Sequence, residues 1–563
     1  MKLKKISQCL ALAGFASCVA AQTADTSLQR VEITGSSIKR IAKEGALPVQ
    51  IITAEDLKKQ GIVTADQLMS ALNGAGNGMD NLASNSDVAV GSGRGSNGLS
   101  AANLRGQGSS STLVLLNGRR LAAHGLNGGV VDLNQIPMAA IERIEILKDG
   151  ASAIYGTDAI GGVINFILKK NYNGVTVQAF TDHTQQGGGD INRVNLTGGF
   201  GDLERDKYNV LLSFGHSESA ALLASQRSFI NTFQSSRGVS PDTTGVPFAT
   251  VTGIASLSSG FTNKTTTGPT QVGSTQTYRY VNVLNLPGGA GCNSVAGMAP
   301  YDYQLWGAPG NKYACAFDTG VAATLQQPLT TDNLVARATF ALGEHHLYAE
   351  AVASSALSSK VFSAQQISSS STATLAMPPG SVPATVPNPL YNLAYPSTGA
   401  SYAAVAAQLI AAFPQLAGAT YAGKPFAFKW RCIPCGPREY DTTTDTSRFL
   451  IGADGPLPFL KGWDYRAGFS SASSDATSVL GGGYYFGDRF AALINTGVLN
   501  PFSVTQTPAA LTGLAAASAQ GTKLYGGKYT LTQADATASG PVYQLPAGDI
   551  MAAVGLDART EKF

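Results

Sequence analysis

Hydrophobic and polar positions follow different rhythms in different parts of this chain. Between Leu47 and about Asn171, short apolar runs alternate with capped helical segments. Pro48–Ile52 reads as a strand. Thr53 then caps a helix, with Asp56 three residues on and Gly61 at its end. Thr64 and Gln67 repeat the capping pattern for a second helix through Leu72. Residues 73–111 are rich in Gly, Ser and Asn and read as loop. Thr112–Leu116 is an apolar strand running into Asn117-Gly118, a two-residue hairpin signal. Pro137 starts a short helical turn, Arg143–Lys148 alternates as a strand, and Val163–Leu168 is the last apolar strand. Gly150, Gly156, Gly161 and Gly162 punctuate the turns.

After Tyr172 the rhythm becomes period two. Val175–Asp182, Ile191–Gly199, Tyr208–Ser217, Leu334–Leu342, His345–Ser354, Ser447–Ala453, Trp463–Ser474 and Ile550–Lys562 all alternate. Each is near the roughly ten residues with which a tilted strand crosses a membrane. Some links are short, such as Gly343-Glu344; others are long, at 220–330, 356–443 and 475–547. Short turns on one side and long loops on the other are the asymmetry of an outer-membrane barrel. Tyr402–Phe413 reads as a helix within a loop, stopped by Pro414 and too short to span.

The N-terminus reads as a secretory signal over residues 1–21. Lys2, Lys4 and Lys5 precede an apolar core from Cys9 to Val19, and Val19-Ala20-Ala21 offers small residues for cleavage. Residues 22–46 form a polar arm that contains one β-prone patch, Arg30-Val31-Glu32-Ile33-Thr34-Gly35. A flexible arm ending in such a patch suits strand addition to a partner's sheet edge, although an ordinary linker reads the same way locally.

Composition narrows the class. Only 13% of residues are charged, about half the share in soluble domains. No later run gives 18 consecutive apolar residues, which leaves a secreted all-β protein or a strand-spanning barrel. A net charge of +3 is too small to argue for nucleic acid. Cys9 and Cys18 fall in the signal. Cys292, Cys315, Cys432 and Cys435 sit in Gly/Pro/Ser-rich stretches and read as two local loop disulfides. A redox reading of Cys-Ile-Pro-Cys lacks its βαβ setting, and a zinc site lacks further ligands. The glycine run at Gly91–Gly98 follows no strand and opens no helix, so it fails as a nucleotide loop. With no catalytic constellation, an enzyme is not expected, nor is a cofactor. Tyr301, Tyr303, Trp306, Tyr313 and Trp430 in the long loops are candidates to stack on a ligand, against the ordinary alternative of packing their own loops.

Three blocks carry a family resemblance: LPVQIITAEDLKKQG with TADQLMSAL, NLRGQGSSSTLVLLNGRRL, and VDLNQIPMAAIERIEILKDGASAIYGTDAIGGVINFILKK. Residues 47–171 resemble the plug domain of TonB-dependent outer-membrane receptors. Residues 172–563 resemble that family in pattern only. The resemblance implies a transmembrane β-barrel with an N-terminal mixed α/β plug domain, in the Gram-negative outer membrane. It implies that Arg30–Gly35 is the TonB box, pairing with the periplasmic energy-transducing partner. It also implies that Arg105, Glu142, Arg143, Glu145 and Lys148 form ion pairs between plug and barrel. Here Lys148-Asp149-Gly150 stands where many relatives have Arg-Gly-Pro. The implied activity is energised uptake of a scarce small-molecule or oligosaccharide ligand: an iron chelate, cobalamin or an oligosaccharide.

The competing reading is a secreted or surface adhesin-type β protein without transport. Plugged transporters have about 22 strands, far more than the eight read here, or the ten to twelve if the long loops hide more. Arg559, Glu561 and Lys562 also break the apolar alternation before Phe563. The barrel is therefore expected to be incomplete in this chain.

Overall fold

The computed structural model describes residue 34 and residues 49–62, 64–72, 98–148, 152–229, 245–254, 261–264, 275–278, 280–318, 320, 324–368, 393–418, 422–546 and 548–563. The expected secretory signal, most of the expected arm and most of the expected 73–111 loop lie outside these residues.

The N-terminal unit is a five-stranded sheet with helices packed on it. Its strands are β1 (Val49–Thr53), β2 (Thr112–Leu116), β3 (Arg119–Arg120), β4 (Ile141–Leu147) and β5 (Gly162–Leu168). They stand in the order β1-β4-β5-β2-β3, and β2 runs parallel to β5. Both expected helices form. For α1 (Ala54–Lys59), Thr53 Oγ1 accepts from Asp56 N at 3.2 Å and Asp56 accepts from Thr53 N at 3.0 Å. For α2 (Ala65–Ala71), Thr64 and Gln67 form the same reciprocal box. Asn117 and Gly118 turn β2 into β3 at φ of +53° and +73°, the left-handed pair that a tight hairpin requires. β2 and β5 are buried along their whole length. Leu57, Leu68, Met69 and Leu72 cover one face with Val114, Leu116, Ile164 and Phe166. Leu113, Leu115 and Val163 fill a smaller cluster on the other.

The second body is an antiparallel sheet of nine strands, each paired with its neighbour in sequence. They are β6 (Gly174–Asp182), β7 (Ile191–Phe200), β8 (Tyr208–Ser219), β9 (Leu329–Leu342), β10 (His345–Ala364), β11 (Pro437–Pro456), β12 (Asp464–Leu480), β13 (Lys523–Leu545) and β14 (Gly548–Lys562). Among the described residues, β6 and β14 each pair on one side only, so the sheet is open. Links on one rim are short: 201–207, 343–344, 457–463 and 546–547. The other rim carries 183–190 and then the long links 220–328, 365–436 and 481–522.

The sheet is apolar outside and polar inside. Leu212, Phe214, Leu334, Phe340, Leu347, Phe449, Ile451 and Phe469 are exposed. Arg193, Arg337, Glu350, Arg448, Ser470 and Ser474 are buried toward the N-terminal unit. That inversion is the pattern of a wall with lipid outside and a filled lumen inside.

Two features depart from the sequence reading. The expected loop 475–547 contains β13, 23 residues long. Its Gly, Ala and Thr content flattens the alternation, which hides it from a hydrophobicity pattern. Of the charges that seemed to break β14, Arg559 and Glu561 stand two apart on one face together with Asp557, and Lys562 stands on the other. Glu561 accepts from Tyr529 Oη at 2.8 Å, Asp557 accepts from Gln533, and Arg559 pairs with Glu561 at 3.0 Å. Asp557, Arg559 and Glu561 lie on the strand's inner face.

The three long links fold together into a cap at their rim. Its core joins Val251 and Val281 from the first link, Phe426, Phe428, Trp430 and α3 (Tyr402–Ala412) from the second, and α4 (Gly487–Asn495) and α5 (Pro508–Ala517) from the third. Tyr402 stacks on Phe426 at 4.4 Å between centroids.

Candidate functional site: the seam between the N-terminal unit and the sheet

The β2–β3 hairpin delivers its tip to the inner face of the sheet. Arg119 is 2% exposed and places its guanidinium against the Asp535 carboxylate of β13, with Nη2 at 2.9 Å from Oδ2. Its Nη1 donates to Tyr348 Oη of β10 at 3.0 Å. Asn117 Nδ2 donates to Glu350 Oε2 at 2.7 Å. Glu350 itself lies between Arg337, at 3.1 Å, and Arg448. Arg466 donates to Asn117 O, and Arg448 Nη2 to Leu116 O at 3.4 Å. A carboxylate buried this deeply costs several kcal/mol unless cations and donors surround it. Glu350 has both, and part of that set belongs to the hairpin.

Further along, His124 Nδ1 accepts from Leu126 N at 3.2 Å, so Nε2 carries the proton shared with Thr444 Oγ1 at 3.0 Å. Burial pushes its pKa down to about 4. Gly125 N donates to Ser474 Oγ at 3.2 Å. A Cβ at Gly125 would stand 2.6 Å from Gly527 O, so only glycine admits this approach of backbone to wall. Val335 and Val352 of the wall join the core of the N-terminal unit.

Four of the five residues expected to bridge to the wall, Arg105, Glu142, Arg143 and Glu145, make contacts within the N-terminal unit and its arm. Arg105, at φ +59°, donates from Nε to Gly161 O at 3.3 Å and from Nη2 to Ile160 O at 3.2 Å. Glu142 pairs with Arg143 at 3.3 Å, and Arg143 with Glu145 at 2.9 Å. Lys148 is half-buried just beyond β4. Ionised side chains of the wall are instead met by Asn117 and Arg119 of the hairpin. Their partners lie 229 to 416 residues away, so the pairing was invisible in sequence. The available signal was inward charge (Arg337, Glu350, Arg448) in strands that carry little charge otherwise.

Glu145 holds the arm. Buried on β4, it accepts from Thr34 N at 2.9 Å and from Thr34 Oγ1 at 2.6 Å. Asn165, its partner across β5, donates to Thr34 Oγ1 at 2.9 Å. Arg30, Val31, Glu32, Ile33 and Gly35 lie outside the described residues.

In the cap, Cys292 is bonded to Cys315 and Cys432 to Cys435. Trp430 is corrected as a ligand contact: it is fully buried, and its Nε1 donates to Pro247 O at 2.9 Å. An alternating apolar strand, Phe426–Arg431, carries it into the core. Tyr313 is half-buried against Tyr278 at 4.8 Å. Tyr301 and Tyr303 are half-buried, and Trp306 is exposed, in the loop between the paired strands Met298–Pro300 and Cys315–Phe317.

Residues 42–163 match the family model of the TonB-dependent receptor plug domain. This stretch is a TonB-dependent receptor plug domain. With a plug against its polar face and an apolar face outward, the nine-stranded sheet is the wall of a β-barrel in the Gram-negative outer membrane. Among solved structures the chain is similar to a point mutant of the ferric enterobactin receptor of Pseudomonas aeruginosa with enterobactin, at 13% identity and TM-score 0.42, covering 92% of this chain and 50% of that one. A siderophore receptor of Acinetobacter baumannii gives 14% identity, TM-score 0.37, and 91% and 57% coverage. The pyoverdine receptor of Pseudomonas aeruginosa gives 10% identity, TM-score 0.40, and 92% and 46% coverage. The chain thus spans about half the length of these solved receptors.

Proposed function

We propose that this chain serves TonB-dependent, energised uptake across the outer membrane. The ligand, an iron chelate, cobalamin or an oligosaccharide, is met at the cap rim. The plug closes the lumen, and the Arg30–Gly35 patch adds as a strand to the sheet edge of the periplasmic TonB partner. The observation that carries this reading is Thr34 seated on Glu145 and Asn165 in a plug domain. The arm is thereby tied to two central plug strands, so a pull on it is a pull on the plug. Ligand promotes the step only by favouring the state in which the arm is free.

The test is site-specific cross-linking from a photoreactive residue at Ile33 in intact cells. Ligand-dependent cross-links to TonB that vanish when Glu32–Thr34 is deleted are expected. A chain that never cross-links and is recovered soluble outside the cell would instead be an adhesin-type binding protein.

A further inference from the structure

A furrow runs along β10 on the outer, apolar side of the wall. Four successive outward positions of that strand, Ala349, Ala351, Ala353 and Ser355, are no larger than serine. The banks are large. Leu334 of β9 stands opposite Ala353, and Phe449 and Ile451 of β11 stand opposite Ala351 and Ala349. All three are exposed. The space they border measures about 370 Å3, within the roughly 300–1,000 Å3 of ligand sites.

A row of polar and charged side chains crosses the mouth of this furrow. Strand register sets His216, Asp332, Ser355, Asp445, Asp475 and Lys528 side by side from β8 to β13. Below the row, no outward position of β9 to β12 is charged as far as Leu342, Leu347, Ala453 and Ala467. From Asp332 to Leu342 a strand tilted by about 45° rises about 24 Å, which is the height of a barrel's apolar band. The row therefore stands at headgroup level on the long-link side. Within it, Asp332 is bonded to His216 at 2.8 Å, and Asp475 stands opposite Lys528. Asp445 stands between Ser355 and Asp475, so neither neighbouring strand offers it a cation at that height. Like charges directly opposite each other destabilise a sheet, and a cation among the lipid headgroups relieves that repulsion.

We propose that the furrow holds one acyl chain of a phospholipid whose headgroup ends in a primary ammonium, bound by Asp445. The ammonium donates to the Asp445 carboxylate and to Ser355 Oγ beside it. The chain runs down over Ala353, Ala351 and Ala349 between Leu334 and Phe449. The occupant is a lipid because this face already meets the membrane, and the lone carboxylate at the mouth selects the headgroup. The proposal rests on the wall's place in the outer membrane and is independent of TonB coupling.

The test is native mass spectrometry of the purified full chain from detergent micelles, titrated with dioleoyl phosphatidylethanolamine or dioleoyl phosphatidylcholine. The two lipids share their chains, but the quaternary ammonium of the second has no N–H to donate. One phosphatidylethanolamine per chain is expected, held about tenfold more tightly than phosphatidylcholine, as for one hydrogen bond to a charged group. Asp445→Asn should remove that preference, and Asp445→Glu should keep part of it. Ala351→Phe, which fills the furrow from outside, should weaken both lipids. Leu212→Ala, outward on β8, should change neither. Melting curves in the same micelles establish that each variant is folded. The proposal is overturned if the folded wild-type chain retains neither lipid, if it holds the two equally, or if Asp445→Asn and Ala351→Phe both bind as wild type. A dimer that Ala351→Phe abolishes would assign the furrow to a second copy and overturn it too. Because TonB is absent, none of these outcomes bears on the uptake reading.

Discussion

The plug and the cap each enclose a buried apolar core, yet the chain assembles them in opposite ways. The plug draws its core from about 120 consecutive residues, with only Val335 and Val352 added by the wall, and has two reciprocal helix caps, a two-residue hairpin and no cysteine. The cap draws its core from links separated by whole membrane strands, from Ala249 to Leu514, and holds both disulfides. Contacts between distant segments cost loop-closure entropy before they return any burial. In the cap that cost falls only because β8 to β13 already bring the ends of the three links to one rim. The plug core is thus locally specified, whereas the cap core depends on the wall.

The sharpest way to break this comparison is Trp430→Ala. The indole is fully buried and its N–H satisfies Pro247 O, so truncation should cost about 3–5 kcal/mol. Hydrogen exchange should rise across the cap links while plug amides stay protected; equal loosening of both would refute independent cores. Arg119→Ala attacks the seam instead. It strands Asp535 beside the lumen and should cost about 3–5 kcal/mol, the penalty for half of a buried pair. The matching Asp535→Asn variant should recover part of that loss, read as melting temperature in micelles. Reduction is a gentler probe. Opening Cys292–Cys315, which closes a separation of 23 residues, should remove about 3 kcal/mol in the chain-entropy account. A reductant should therefore raise proteolysis in the cap and leave the cysteine-free plug intact.

The same contrast explains what was legible in the sequence. Thr53 with Asp56, Thr64 with Gln67, and Asn117-Gly118 are local signals with local consequences, and the plug elements formed where they stood. The wall was readable where Leu, Phe and Ile alternate strongly, as in β8 and β9, and hidden where β13 alternates Thr with Ala and Gly. The site was least legible. Glu145 was expected to face the wall, but β1, β4 and β5 enclose it, and the arm's Thr34 takes its oxygens. Arg119 carries the wall contact because the hairpin tip, not β4, is what the sheet reaches. Trp430 was grouped with surface aromatics since nothing local marks a loop residue whose cover comes from two other loops.

A final distinction separates two buried groups within the plug, by pH. Asp132 accepts from Asn134 N at 3.0 Å and Ser100 N at 3.2 Å. Burial outweighs those bonds and pushes its pKa up to about 7. A carboxyl raised above its unfolded value near 4 contributes full stability below pH 4 and loses it as pH rises toward 7. His124 has the opposite sign. Held neutral by burial with a pKa of about 4, against about 6.5 unfolded, it contributes above pH 6.5 and loses that as pH falls toward 4. At about 1.4 kcal/mol per unit, the two slopes nearly cancel between pH 4 and 6.5 and the wild-type profile is almost flat there. Asp132→Asn should unmask the histidine, so that melting temperature climbs with pH over that window. His124→Gln should unmask the carboxyl, so that it falls. A wild-type profile that is steep where both variants are flat would show that neither group governs plug stability.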